Sequence, residues 1–250
     1  METNDLQLWY AYPRDLVDES AAKACAGLLS DEEQQHWQRF RHETNRRESL
    51  TSRALARIAL SHAHPFPPQD WDFAVNAYGK PHPVPECGLR FNLSNSDELV
   101  VCLVAHGAEV GVDVEPYQRG AQILRLAESV FSPVEKGQIS TLAGEEQQDR
   151  ALSLWTLKEA YIKARGMGLS LPLKSISFVF GDDAGIDMEL DPELEDDSAN
   201  WKFCLLNHAE HRIAIMVEQS CTSSLSVQQV RPPLAAPVNV QATVLGWFPW

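Results

Sequence analysis

Two acidic residues lie two positions apart in the segment Gly111-Val112-Asp113-Val114-Glu115. Side chains two apart on a β-strand project from the same face, so Asp113 and Glu115 would lie side by side while the valines point to the core. Adjacent carboxylates repel each other, and a hard divalent cation commonly relieves that repulsion. A solvated pair at a strand edge has the same pattern. The pair alone therefore leaves a metal site and a solvated edge both open.

A second group of ionisable residues lies in the segment Trp155-Thr156-Leu157-Lys158-Glu159-Ala160-Tyr161-Ile162-Lys163. Glu159 and Lys163 are four apart and share one face of the predicted helix, with Trp155 one turn earlier. A third carboxylate beside Asp113 and Glu115 would complete a magnesium site, and a neighbouring lysine suits phosphoryl chemistry. The alternative is an exposed salt bridge worth about 0.3–0.5 kcal/mol.

A basic segment runs from Arg39 to Arg57 and holds six arginines against two acids. Concentrated positive charge on an acidic protein favours a small polyanionic ligand. A solvated helix face is the alternative. Lys80, in the turn Tyr78-Gly79-Lys80-Pro81, is either a further phosphate contact or an ordinary turn lysine.

The elements that would position these residues form two series of helices followed by strands. Ser30 to Glu33 and Ser132 to Glu135 have the form of capping boxes, and Gly166 suits a helix C-terminus. The predicted helices are 30–41, 45–62 and 146–165, and the predicted strands are 6–12, 71–75, 91–94, 99–105, 111–115, 176–180, 201–206 and 212–218. Residues 182–197 hold nine acids and no base, which favours a solvated loop. We therefore predict an α+β protein of two similar halves, 1–116 and 117–230, followed by a tail over 231–250.

Composition excludes several classes of protein. The formal net charge of −14 argues against a general nucleic-acid binder. The first residues lack a secretory signal, and no stretch approaches the roughly 18 apolar residues of a membrane span. The five cysteines are widely spaced, so we expect reduced thiols in a cytoplasmic protein rather than disulfides or structural zinc.

Three blocks of the sequence together resemble the surfactin-synthetase-type 4′-phosphopantetheinyl transferases. They are Tyr78-Gly79-Lys80-Pro81 with Phe91-Asn92-Leu93-Ser94, then Val110 to Glu115, then Phe131-Ser132 with the Trp155-x-x-Lys158-Glu159-Ala160-x-x-Lys163-x-x-Gly166 pattern. The resemblance implies two pseudo-symmetric α+β halves with the active site in the cleft between them. It also implies transfer of the phosphopantetheine arm of coenzyme A to a serine of an apo acyl or peptidyl carrier protein, with magnesium and release of adenosine 3′,5′-bisphosphate.

The resemblance assigns roles to individual residues. It implies that Asp113, Glu115 and Glu159 are metal ligands, that Glu159 is also the base for the carrier serine, and that Lys163 neutralises charge on the transferred phosphate. Asp113, Glu159 and Lys163 are thus the implied catalytic residues. Contacts to coenzyme A phosphates are implied for His36, Arg39, Ser49, Lys80, Asn92, Ser94, Asn95 and Lys158.

The chain departs from the family pattern at two positions. Asn95 stands where the family has a histidine, and an amide cannot become a cation. Glu33 stands where the family often has a basic residue, shortly before His36, which leaves Arg46, Arg47 and Arg53 as alternative nucleotide contacts.

Partners and competing functions follow from the same resemblance. It places carrier docking at 117–131, where a helix packed on its own domain is the alternative. Since two halves lie in one chain, we expect a monomer, while fatty-acid, polyketide and siderophore carriers stay equal candidates. The competing functions are a non-catalytic binding homologue and a magnesium-dependent phosphohydrolase.

Overall fold

A computed structural model of the chain describes residues 6–16, 18–96, 98–181, 185–219, 224–231, 238–239 and 243–248. They form two compact units. Unit 1 comprises the described residues within Met1–Asn76, Pro81–Ala108 and Cys221–Gln241, and unit 2 comprises those within Ala77–Lys80, Glu109–Ser220 and Ala242–Trp250. The division falls at residue 108, so the strand that carries Asp113 belongs to unit 2 rather than to the N-terminal half predicted to end at 116.

Unit 1 packs helices against a five-stranded sheet. Its helices are α1 (Glu19–Ala26), α2 (Asp31–Gln38) and α3 (Glu43–Ala63), and its strands are β1 (Leu6–Ala11), β2 (Asp72–Val75), β3 (Pro81–Val84), β4 (Leu89–Ser96) and β5 (Leu99–His106), with β11 (Leu225–Gln229) and β12 (Val238–Asn239) from the C-terminal part of the chain. The sheet order is β12-β11-β1-β5-β4, and β2 and β3 form a separate hairpin. The core between α3 and the sheet contains Trp9, Leu55, Leu60 and Val100.

Unit 2 packs helices against a four-stranded sheet. Its helices are α4 (Gly120–Leu124), α5 (Ala127–Val130), α6 (Pro133–Ser140) and α7 (Gly144–Arg165), and its strands are β6 (Val110–Pro116), β7 (Ile176–Phe180), β8 (Ile186–Leu190), β9 (Trp201–His208), β10 (His211–Glu218) and β13 (Thr243–Phe248). The sheet order is β13-β9-β10-β6, and β7 pairs with β8 in a hairpin. Leu154, Leu157 and Tyr161 of α7 lie in the core with Phe178 and Phe203.

The two units repeat one order of elements. In each unit a strand is followed by shorter helices, a helix of 21 or 22 residues, a hairpin and two antiparallel strands. The first strand then pairs antiparallel with the last, β1 with β5 and β6 with β10. The prediction of an α+β chain with two similar halves is therefore confirmed.

Both predicted capping boxes are present, and each has a further contact that links it to the long helix of its unit. Ser30 and Glu33 cap α2, and the Glu33 carboxylate also accepts from Arg57 of α3, whose side chain is 1% exposed. Ser132 and Glu135 cap α6, and the Glu135 carboxylate lies 2.7 Å from Nζ of Lys158 of α7, with both side chains 0% exposed. We call these contacts the capping-box clamps.

Two predicted irregular regions contain strands instead. Ile186 and Met188 of β8 are buried while Asp187 and Glu189 between them are exposed, so the segment predicted as an acidic loop is in part an amphipathic strand paired with β7. Residues 182–184 of that segment lie outside the described residues. The predicted tail likewise contributes β12, which pairs with β11, and β13, which pairs with β9. Backbone pairing across long chain separations is not visible in a local residue pattern.

Two further expectations concern thiols and membranes. Cys25, Cys87, Cys102 and Cys204 are free thiols, and Cys221 lies outside the described residues. Within the described ranges, every helix is too short or too polar to cross a bilayer.

Candidate active site

The predicted catalytic residues of unit 2 lie on β6 and α7, and a glycine allows these two elements to pack closely. A Cβ atom at Gly111 would lie 2.0 Å from the carbonyl oxygen of Ala160 and 2.4 Å from the amide nitrogen of Ala164. A side chain there would collide with helix backbone, which cannot move aside cheaply. The sequence Gly-Val-Asp-Val-Glu therefore brings β6 into contact with the backbone of α7 over the turn that contains Ala160 and Lys163.

Both acidic residues of β6 are enclosed and engaged with cations. Asp113 and Glu115 are each 5% exposed. Nζ of Lys163 donates to Oδ1 of Asp113 at 2.7 Å. Nη1 of Arg119 donates to Oε1 of Glu115 at 2.5 Å and to Oε2 at 2.6 Å, and the indole Nε1 of Trp155 donates to Oε1 at 2.9 Å. The alternative of a solvated strand edge is therefore excluded.

Glu159 is electrostatically coupled to the same two acids. Burial raises the pKa of Glu159 to about 7, with a further rise from Asp113 and a smaller one from Glu115, while Lys163 and Arg119 oppose the rise. Burial also raises the pKa of Glu115, again helped by the charge of Asp113. The structure thus brings Asp113, Glu115, Glu159 and Lys163 into one neighbourhood, and a carboxyl group that titrates near neutrality suits a general base.

The carboxylates suit a hard cation in chemistry but do not converge on one point. Three carboxylate groups are the oxygen donors that magnesium prefers. Among the described residues, however, no three His, Cys, Asp or Glu side chains are arranged to hold a single ion. Arg119 and Lys163 contact the oxygens that a cation would use. The shared metal site of Asp113, Glu115 and Glu159 stays a prediction.

Lys158 is placed differently from the role that the resemblance implied. Its side chain is 0% exposed, and Nζ lies 2.7 Å from Oε2 of Glu135, 2.7 Å from the carbonyl oxygen of Leu173, and in hydrogen-bond contact with that of Ile176. Burial lowers the pKa of Lys158, and the charge of Glu135 opposes that change. An ammonium group enclosed by three protein acceptors does not reach a phosphate, so the phosphate contact that the resemblance implied for Lys158 is wrong.

Lys80 is also held by protein acceptors. Its Nζ donates to Oε2 of Glu109 at 2.6 Å, to the carbonyl oxygen of Ala164 at 2.7 Å and to that of Val110 at 3.1 Å. These bonds connect the Gly-Lys-Pro turn with the start of β6 and the end of α7. A phosphate contact would require Lys80 to exchange at least one of them.

The remaining candidates for coenzyme A contacts lie in unit 1, on two helices and one strand. His36 and Arg39 are exposed at the end of α2, and Ser49 is partly exposed on α3. On β4, Asn92 and Ser94 are buried, and Nδ2 of Asn95 donates to the carboxylate of Glu48. Asn95 therefore lies beside the turn of α3 that carries Ser49.

The structure explains one departure from the family pattern. Glu33, which stands where the family often has a basic residue, caps α2 and neutralises buried Arg57, so its charge has a structural use. Arg46 and Arg47 both pair with Glu43. Arg53 makes no hydrogen bond or ion pair with any residue that the structure describes, so it is the arginine of the three that is available to an anion without breaking a pair.

The predicted docking segment, 117–131, forms the short helices α4 and α5. Ile123 is buried in the core of unit 2, while Arg125 and Leu126 are exposed. Part of the segment is thus a packed helix and part is free to contact a partner. Arg119, Trp155 and Glu135 also contact site residues, which the sequence pattern did not predict. The four-residue spacing from Glu115 to Arg119 was the available signal for Arg119, whereas Trp155 and Glu135 contact residues far away in the chain.

Comparisons with known proteins cover both units. The model of the 4′-phosphopantetheinyl transferase superfamily matches residues 109–216, and that of the 4′-phosphopantetheinyl transferase N-terminal region matches residues 18–107. A 4′-phosphopantetheinyl transferase of Bacillus subtilis is 33% identical over 162 residues, which cover 65% of this chain and 71% of that protein. The 4′-phosphopantetheinyl transferase HetI of a Nostoc species is 32% identical over 171 residues, covering 67% and 71%.

One matching solved structure is more distant. A holo-(acyl-carrier-protein) synthase from Bacillus anthracis in complex with CoA (3′,5′-ADP) is 20% identical with a TM-score of 0.37, covering 44% of this chain and 94% of that one.

Proposed function

This chain belongs to the 4′-phosphopantetheinyl transferase superfamily, and from that premise we propose that it transfers the 4′-phosphopantetheine arm of coenzyme A to a serine of an apo acyl or peptidyl carrier protein. The products are the holo-carrier protein and adenosine 3′,5′-bisphosphate. The observation that carries the proposal is the coupled group of Glu159, Asp113, Glu115 and Lys163 in the contact between β6 and α7. The relatives' names supply the reaction class, and this group supplies residues that can perform it.

Glu159 is our candidate for the base. A carboxylate is a weak base at its ordinary pKa, and burial beside two acids makes Glu159 a stronger one near neutral pH. In the proposed reaction it takes the hydroxyl proton of the carrier serine as the serine oxygen attacks the β-phosphorus of coenzyme A. The pyrophosphate bond breaks, and the bisphosphate leaves with the bonding electrons.

Lys163 is our candidate for stabilising the charge that develops on the phosphoryl oxygens. It is 27% exposed and lies 2.7 Å from Asp113, so it is fixed by an anion yet accessible to a ligand. A fixed cation needs little reorganisation when the phosphoryl group moves, which is how such groups lower a barrier.

We propose that Asp113, Glu115 and Glu159 hold a magnesium ion, because their oxygens match its ligand preference. When bound, the ion would supply positive charge to the diphosphate of coenzyme A. His36, Arg39, Ser49, Asn92, Ser94 and Asn95 are our candidates for contacts to the nucleotide phosphates, with Arg53 as a further one. Residues 117–131 are our candidate carrier-docking segment. We also infer that the protein is cytoplasmic and monomeric. Sedimentation at assay concentration tests whether it is a monomer.

Mass spectrometry of an apo carrier incubated with coenzyme A and magnesium tests the activity. A transferase adds the phosphopantetheine mass to the carrier, whereas a phosphohydrolase degrades coenzyme A and leaves the carrier unchanged. A binding homologue changes neither. A panel of carriers from fatty-acid, polyketide and nonribosomal peptide systems would identify the natural substrate class.

Substitution of Asp113 by Ala tests the assignment of the site. We expect Asp113→Ala to reduce turnover by orders of magnitude at limiting magnesium, with a folded chain by circular dichroism. Asp187→Ala is a matched control, since Asp187 is an exposed acid of the same unit on β8. Near-normal turnover of Asp113→Ala would remove Asp113 from the site.

A further inference from the structure

The carboxylate of Glu115 accepts hydrogen bonds from two side chains, those of Arg119 and Trp155. One guanidinium nitrogen of Arg119 lies 2.5 Å and 2.6 Å from its two oxygens, and the Trp155 indole donates to Oε1 at 2.9 Å. The Glu115 side chain is 7% exposed, while that of Arg119 is 37% exposed. Glu115 is thus the buried partner, and the guanidinium group of Arg119 reaches it from the surface.

These contacts use most of the acceptor capacity of the carboxylate. Each carboxylate oxygen offers two lone-pair positions. Oε1 accepts from both Arg119 and Trp155, so its two positions are taken, and Oε2 accepts from Arg119. A divalent cation on Glu115 would either displace the guanidinium or bind beside a like charge, and both alternatives weaken its binding.

We propose that Arg119 and a divalent cation compete for the carboxylate of Glu115, with Arg119 acting as the counter-ion that the cation must displace. This inference rests on the proposed function, which makes Glu115 a metal ligand. Arg119 can leave without being buried elsewhere, because its side chain is already more than one-third exposed. Trp155 can keep its bond to Oε1 and hold the carboxylate in place while the arginine moves.

The competition predicts an unusual direction of effect. Removing a side chain that touches a metal ligand normally weakens metal binding, because the ligand loses its orientation. Here removal of Arg119 frees one acceptor position on each oxygen of Glu115 and removes a like charge beside the cation, so Arg119→Gln should bind a divalent cation about tenfold more tightly. The mechanism also limits the effect to Arg119, since other surface arginines do not occupy the carboxylate.

Manganese binding to the full chain, followed by electron paramagnetic resonance at fixed pH, measures this effect without turnover. Arg125→Gln is the matched control, because Arg125 is an exposed arginine of the same segment that makes no ion pair with the described residues. It removes the same formal charge without freeing Glu115. Tighter binding by Arg119→Gln than by Arg125→Gln supports the competition, and equal or weaker binding overturns it.

Two further variants separate the possible failures. Arg119→Lys keeps a charge but presents it as a strongly hydrated ammonium group on a flexible stem, so its manganese affinity should lie between those of the wild type and Arg119→Gln. It replaces Arg119→Gln if that variant does not fold. Glu115→Gln should lose manganese affinity. If it binds like the wild type, Glu115 is not a ligand and the competition is wrong, while transfer of phosphopantetheine by the wild type, read by mass spectrometry, would still support the proposed function.

Discussion

The buried contact between Lys158 and Glu135 gives a quantitative test of what this lysine does. Both side chains are 0% exposed, and Glu135 also accepts from the backbone nitrogens of Ser132 and Phe178. Lys158→Met would leave the Glu135 charge buried without its counter-ion and would remove the donor to two carbonyl groups. Breaking a buried ion pair in this way costs about 3–5 kcal/mol of the free energy of unfolding.

Replacing both partners should recover much of that loss. In the double variant Glu135→Gln with Lys158→Met no charge is buried, and the glutamine oxygen can still accept from the backbone nitrogen of Phe178. Lys136→Met is the matched control, because it breaks the exposed pair between Lys136 and Glu128 in the same unit and should leave the unfolding midpoint unchanged.

Urea denaturation followed by tryptophan fluorescence measures all three variants, and the Michaelis constant for coenzyme A is measured alongside. A phosphate-binding role predicts the opposite pattern for Lys158→Met, with a raised Michaelis constant and unchanged stability. A loss of less than about 1 kcal/mol in Lys158→Met would refute the structural role.

Three other predictions concern Glu159, Glu33 and Asn95. With chelator present, the free energy of unfolding of the wild type should fall as the pH rises from about 4.5 to about 7, because folding favours protonated Glu159. Glu159→Gln does not titrate at this position. In urea titrations its free energy of unfolding, relative to that of the wild type, should therefore rise by on the order of 2 kcal/mol when the pH is raised from 5 to 8. Glu33→Ala, which removes a helix cap and the counter-ion of buried Arg57, should lower the free energy of unfolding by about 2–4 kcal/mol by denaturant titration, and an unchanged midpoint would contradict the clamp. Asn95→His should lower the Michaelis constant for coenzyme A, more at pH 6 than at pH 8, since only the protonated imidazole adds a charge; steady-state kinetics that show a pH-independent gain would exclude this cause.

Local patterns predicted the elements that carry the site. The capping boxes at Ser30 and Ser132 and the end of α7 at Gly166 are confirmed, because each depends on contacts within a few residues of chain. The two-residue spacing of Asp113 and Glu115 likewise predicted that both lie on one strand, β6, because strand alternation is a local pattern. Their burial and their cationic partners depend on Gly111 and on packing against α7, which the two-residue spacing does not contain.

The burial of Lys158 was in part readable from the sequence. Leu154, Leu157 and Tyr161 lie four before, one before and three after it, so Lys158 belongs to the apolar face of α7 by helical spacing. Its partner is 23 positions earlier in the chain, and no periodic pattern connects the two. The resemblance to a family motif therefore favoured a ligand role where the packing gives a structural one.

The two capping-box clamps indicate that the structural role of Lys158 belongs to the fold of each unit and not to catalysis. In unit 1 the N3 glutamate of α2 pairs with Arg57, which also donates to the carbonyl oxygens of Pro68 and Trp71 just before the first hairpin. In unit 2 the N3 glutamate of α6 pairs with Lys158, which donates to the carbonyl oxygens of Leu173 and Ile176 at the start of the second.

The spacings agree closely between the clamps. The glutamate and its basic partner are 24 residues apart in unit 1 and 23 in unit 2. The two carbonyl groups that accept from the basic partner are three residues apart in both units. Such agreement is what an internal duplication produces, even where sequence identity between the halves is too low to reveal it. Arg57 performs the clamp in a unit that carries none of the proposed catalytic carboxylates. Lys158 is therefore best understood as its counterpart, which holds α7 so that the next residue, Glu159, lies beside Asp113.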